Sequence, residues 1–195
     1  MPPDEKFNWK RSLKRLNELL LEVVADELDE PSYEYLAEQP DPRWLGAPPA
    51  SARAIASAEE RLGLTLPEAY RGFLLASDGW VRADGFPHRM AGLLDTTRIF
   101  WMRNDRSREA QQFRDFLGDN DDLLDPPLGP DEDPIDRLLC IGDFDGNECI
   151  LYVVGTRSDD WPVLVWDPED GFVRHPGLVE LFRKELAYRE SEAAG

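Results

Sequence analysis

The chain has 195 residues, 42% of them hydrophobic, and carries 40 acidic against 22 basic side chains, a formal charge of −18. That length suits one large domain with an extension, and the apolar content is enough for a core. A surface this acidic is repelled by nucleic-acid phosphates and anionic lipid and attracted to basic proteins, which argues against nucleic acid and membranes as partners. The two cysteines, Cys140 and Cys149, are too few for a disulfide framework. They flank an expected hairpin, opposite in one register and diagonal in another, and free buried thiols are expected. No apolar run approaches the roughly 18 residues of a membrane span, and the N-terminus lacks a signal-peptide core. The expected compartment is the cytoplasm.

The first helix is expected over residues 7–28, where Trp9, Leu13, Leu16, Leu20, Val23 and Leu28 recur at steps of three to five. Its charges run against the helix dipole. Lys6, Lys10, Arg11, Lys14 and Arg15 come first, and Glu18, Glu22, Asp26 and Glu27 follow. Solvation, tertiary contacts or a partner must compensate. Residues 29–50 are proline-rich and are expected to wrap the surface, anchored by Trp44 and Leu45. The expected organisation is an N-terminal helical extension and linker over residues 1–43 and one domain over 44–190.

Residues 50–80 predict two helices with a short link. Ser51 is a good N-cap, and Ile55, Ala58 and Leu62 share a face. Gly63 can close the first helix in a left-handed conformation. Pro67 can start the second without losing a hydrogen bond, and Tyr70, Phe73, Leu74 and Leu75 form its apolar side. Asp78-Gly79 ends it. A loop holding His88 follows. Leu93–Met102 predicts strand around a bend at Asp95-Thr96, with Ile99, Phe100 and Trp101 as β-favouring bulk. Asp105 or Ser107 caps a helix bearing Ala110, Phe113, Phe116 and Leu117, which Gly118 is expected to stop.

Gly118–Asp136 differs in kind. It holds Asp119, Asp121, Asp122, Asp125, Asp131, Glu132, Asp133 and Asp136 beside four prolines, with no Lys or Arg. Such a composition predicts an exposed, extended loop that contributes nothing to the core. Strands are expected at Leu138–Ile141, Glu148–Val154, Val163–Trp166 and Phe172-Val173, with hairpin turns at Asp145-Gly146 and Glu169–Gly171. Pro176 begins a last helix with Leu178, Leu181, Phe182 and Leu186 inward, and residues 190–195 are expected to fray. The fold class is α+β, a mainly antiparallel twisted sheet with helices packed against it.

Candidate chemistry is sparse. Asp143, Asp145 and Glu148 are too closely spaced for a calcium loop and suit a turn. Ser77-Asp78 and His175 cannot be assembled into a triad from sequence. No phosphate-binding glycine loop, nucleophile elbow or paired-cysteine motif is present. No catalytic residue, metal ligand or cofactor is therefore assigned.

The run Trp44-Leu45-Gly46-Ala47-Pro48-Pro49-Ala50, then Ile55, Glu59, Leu62-Gly63, Leu66-Pro67, Tyr70, Phe73-Leu74 and Asp78-Gly79-Trp80, resembles the SMI1/KNR4 family of the SUKH superfamily. Ile141-Gly142-Asp143, Val165-Trp166-Asp167 and the closing helix resemble it in the same order, so the likeness covers about residues 44–187. The resemblance implies a bacterial immunity protein, a non-enzymatic module that neutralises a toxin, often a nuclease, and no catalytic activity. A basic toxin would meet the acidic segment, making Asp121, Asp122, Asp125, Asp131, Glu132 and Asp133 the expected partner-binding residues. Trp80 and Trp101, if exposed, are the alternative anchors. The rival readings are a regulatory scaffold, as in the fungal branch, and a hydrolase or transferase built on carboxylates.

Overall fold

The computed structural model describes residues 7–24, 43–80, 92–105, 107–120, 123–124, 129, 131–142, 149–155, 159–167 and 171–194. Its helices are α1 (Trp9–Val24), α2 (Ala52–Leu62), α3 (Glu68–Leu74), α4 (Arg108–Asp119) and α5 (Leu178–Ala193). The strands β1 (Phe100–Trp101), β2 (Leu138–Cys140), β3 (Cys149–Val153), β4 (Val163–Asp167) and β5 (Gly171–His175) form one sheet in the order β1-β2-β3-β4-β5. Every pairing is antiparallel. The fold is thus α+β, and each strand lies beside its sequence neighbour. Isolated bridges Gly46↔Trp80, Trp80↔Leu93 and Leu93↔Gly142 continue the pairing beyond the end of β2.

Strand alternation sorts the side chains onto two faces. Trp166 and Phe172 are cross-strand partners. On their face lie Phe113 and Phe116 of α4, with ring centroids 5.0–5.7 Å from theirs. Tyr152 pairs with Val163 and therefore points the other way. There it meets Tyr70 of α3 edge-on at 5.5 Å. Helices cover both faces, and edge-on aromatic contacts tie them to the sheet. Trp9 of α1 adds a further layer, edge-on to Phe73 at 5.6 Å and to Phe182 of α5 at 4.8 Å. Leu13, Leu16 and Leu20 join the same buried cluster, so α1 is part of the one core.

Several expectations are corrected. Leu75 lies one position past α3 and is 48% exposed, because the inward face has already been filled by Ala69, Tyr70, Phe73 and Leu74. Pro67 is the N-cap of α3 and not its first helical residue. Gly118 does not stop α4. The helix reaches Asp119, and the Asn120 side-chain amide donates to the Phe116 carbonyl at 2.8 Å, satisfying an end carbonyl one turn on. The C-terminal residues expected to fray are helical to Ala193. Arg189 donates to Glu185 at 2.7 Å and to Glu192 at 3.2 Å, which ties down the last turns. As expected, Cys140 is buried; it lies opposite Leu151, which places Cys149 on the diagonal, and its thiol donates to the Gly142 carbonyl at 3.3 Å. Residues 25–28 of the expected first helix, the loop with His88, and Asp143, Asp145 and Glu148 lie outside the described residues.

Candidate functional site

The acidic segment leaves α4, whose start is set by Ser107. The Ser107 hydroxyl accepts from Ala110 N at 3.1 Å and donates to Asp105 at 2.8 Å. The far end of the segment is a 3-10 turn, Pro134–Arg137, capped by Asp133, which accepts from Ile135 N at 3.2 Å. Leu124 and Ile135 are 1% and 0% exposed and belong to the core. The expectation of a segment without core contacts is therefore wrong at these points. Leu124 and Ile135 insert into the core, and Leu123 packs partly buried against it.

Asp131 and Glu132 stand exposed, and Glu132 closes a local turn by accepting from Gly129 N at 3.2 Å. Asp133 is half-buried and accepts from Arg114 Nε at 2.7 Å. Its charge is met within the chain, and its role is to fix the turn. Asp121, Asp122 and Asp125 lie outside the described residues. Trp80 is 4% exposed, edge-on to Trp44 at 5.3 Å, and does not present an anchor to a partner. Trp101 is half-buried. Its indole N–H donates to the Leu62 carbonyl at 2.8 Å, and Arg103 lies over its ring at 4.3 Å.

The framework of residues 50–80 proves to be joinery. Glu59 accepts from Leu66 N at 2.9 Å, bridging the link between α2 and α3. Gly63 has φ +70. Burial pushes the Tyr70 phenol well above its usual range, so the hydroxyl stays protonated and donates to the Leu94 carbonyl at 3.3 Å. Asp78 accepts from Thr96 N at 2.8 Å and from its hydroxyl at 3.0 Å. Arg61 donates to the carbonyls of Ile99 and Thr96 at 2.8 and 2.9 Å. Sequence reasoning missed Arg61, since its partners lie more than 30 positions away.

Of the polar groups weighed for catalysis, Ser77 and Asp78 are occupied structurally. The buried Ser77 hydroxyl is shared between the carbonyls of Gly79 and Ala47 at 2.6 and 3.1 Å. Asp78 is held by Thr96, and His175 sits on the edge strand β5. Burial and the nearby Lys184 lower the His175 pKa, and its Nδ1 is buried without a hydrogen-bond partner. Among the described residues no group of three or more His, Cys, Asp or Glu is arranged to hold a metal. No described helix is long and apolar enough to cross a membrane.

No curated protein matches the chain. The model of the SMI1 / KNR4 family (SUKH-1) matches residues 49–184. That range takes in the α2–α3 framework, the acidic segment, the whole sheet and the first part of α5. It covers more than half of the chain, which belongs to the SMI1/KNR4 (SUKH-1) family.

Proposed function

We propose that the protein is a non-catalytic immunity-type binding module that neutralises a cognate toxin by occluding a basic surface on it. The observation that carries the reading is the pair Asp131 and Glu132. Both are exposed, and neither has a cation partner among the described residues, although Pro134 and Ile135 just after them are buried in the core. Ordered, unpaired carboxylates meet a basic partner with little loss of entropy on binding. Family membership and the charge of −18 support the same reading. A nuclease must hold phosphate with Lys and Arg, and carboxylates offered to those groups compete with its substrate.

The test is association kinetics with the C-terminal domain of a toxin encoded beside this chain. Salt is raised from about 0.1 M to about 1 M, which shortens the Debye length from about 10 Å to about 3 Å. Association should slow steeply, because steering acts through screened charge. A variant with Asp121→Asn, Asp122→Asn, Asp131→Asn and Glu132→Gln should associate more slowly at low salt and converge on the wild type at high salt. Asp133 stays intact in this variant because Arg114 holds it. Equal rates for both proteins at every salt concentration would show that the acidic segment is not the docking surface.

A further inference from the structure

Among the described residues the reversed charge order of α1 is not compensated within the chain. Lys10, Arg11, Lys14 and Arg15 are all exposed, and among the described residues only Arg15 of these makes ion pairs, with Glu18 at 3.7 Å and Glu190 at 3.3 Å. Among the described residues no carboxylate meets Lys10, Arg11 or Lys14, and the first turn of α1 carries no acid. Arg11, Lys14 and Arg15 border a groove of about 710 Å³ between α1 and α5. Its lining holds Arg11, Lys14, Arg15 and Arg183 against Glu18 and Glu190, so this face is locally positive on a chain of charge −18. Phe7, Leu186 and Ala187 supply an apolar strip along it.

Helical spacing puts positions 11, 15, 18 and 22 on one stripe, at steps of four, three and four. In sequence they are Arg, Arg, Glu and Glu. Read backwards, the stripe is its own charge complement. Two such helices laid antiparallel, with the twofold axis between positions 16 and 17, bring Arg15 of each opposite Glu18 of the other. Arg11 then faces position 22. Antiparallel alignment also opposes the two helix dipoles favourably.

We infer that α1 and the α1–α5 groove form an isologous interface with a second copy of this chain. The occupant follows from the charges. A nucleic acid or a uniformly acidic peptide would satisfy Arg11 and Lys14 but would be repelled by Glu18, Glu190 and the rest of the surface. A second α1 presents both signs in the order required. The locally positive face is also where two strongly acidic chains can approach, and a twofold pair closes without leaving a sticky end. The acidic segment takes no part, so this inference stands independently of the toxin reading.

The test is the oligomeric state of the full chain by analytical ultracentrifugation, across roughly 1 µM to 1 mM protein. The wild type should pass from monomer to dimer in this range. Arg15→Glu and Glu18→Arg should each weaken the dimer by about tenfold or more, because symmetry counts each like-charge contact twice. An equimolar mixture of the two should form a heterodimer, and the double variant Arg15→Glu/Glu18→Arg should recover to within about threefold of wild type. Arg11→Glu changes an exposed residue with no ion pair among the described residues. It should weaken the dimer while leaving unchanged the denaturation midpoint measured at about 1 µM, where the chain is monomeric. A wild type that stays monomeric throughout, single variants that dimerise like wild type, or a double variant that fails to recover would each overturn the inference.

Discussion

Two glycines of the framework do different work. Gly63 closes α2 at φ +70 with its N–H on the Glu60 carbonyl at 3.3 Å, and a Cβ there would meet nothing within 4 Å. Gly79 has φ +104, and a Cβ would lie 3.1 Å from the Leu93 carbonyl oxygen and 3.3 Å from Asp95 N. Gly63→Ala should therefore lose only the left-handed backbone preference, about 1 kcal/mol. Gly79→Ala adds a clash with backbone that is itself bridged to Trp80, and should lose roughly 2–4 kcal/mol. Urea denaturation midpoints measure both losses. Equal losses would mean that the Leu93 segment moves aside and that the bridge to Trp80 is looser than its geometry. The role of Gly63 is legible from Leu62-Gly63 at the end of a helical period. That of Gly79 is only half legible, since the Asp-Gly pair marks a turn but not what comes close to it.

At the scale of elements, α5 has no cap of its own. Gly177 precedes it in extended conformation and offers no side chain. The cap comes from Asp160, whose carboxylate accepts from Val179 N at 3.1 Å, Trp161 N at 2.9 Å and the Tyr152 hydroxyl at 3.1 Å, with Leu178 N as a further donor. A Cβ on Gly177 would overlap that carboxylate, so glycine here makes room for it. Asp160→Ala should strand these donors and cost about 1–3 kcal/mol. Burial raises the Asp160 pKa above its ordinary 3.8 although those hydrogen bonds act to lower it. In the window between 3.8 and the raised value the native state holds the proton more firmly than the unfolded chain. Stability from this group is then complete below the window, falls as pH rises through it and is flat above it. The stability of wild type minus that of Asp160→Asn should fall with pH across this window. A difference that rises with pH, or stays constant, would show that the hydrogen bonds outweigh the burial.

For the whole molecule, the question is where the folding unit begins. The family match starts at residue 49, yet Trp9, Leu13, Leu16 and Leu20 lie in the same cluster as Phe73, Leu74 and Phe182. Asn17 also accepts from Leu45 N and donates to the Arg43 carbonyl, both at 2.8 Å, tying α1 to the segment that leads into the match. A chain starting at residue 44 would expose the aromatic face of α3 and α5. Each large buried side chain deprived of its cover loses roughly 1.5–3 kcal/mol, which together is comparable with a typical folding free energy of about 5–15 kcal/mol once the contacts of Trp9, Phe73 and Phe182 are counted with the leucines. The truncated chain should lose its cooperative denaturation transition and bind hydrophobic dyes. A sharp transition at the wild-type midpoint would make α1 a dispensable extension.

The sequence by itself determined the helices and several of their ends. Ser51, Ser107, Gly63 and the apolar spacing of α2, α3 and α4 act within four residues, so they can be read in order. It also determined the family, because Glu59, Leu66, Tyr70 and Asp78 join neighbouring parts at set spacings. The density of acid in Gly118–Asp136 was equally plain, but which of those carboxylates is unpaired was not. Only the tertiary structure gave Asp133 to Arg114, buried Trp80 beneath Trp44, left Leu75 in solvent and brought Asp160 to the start of α5. In each case the deciding neighbour is remote along the chain or lies on a face set by packing, and no local pattern records which of several equally apolar or equally acidic residues will reach it.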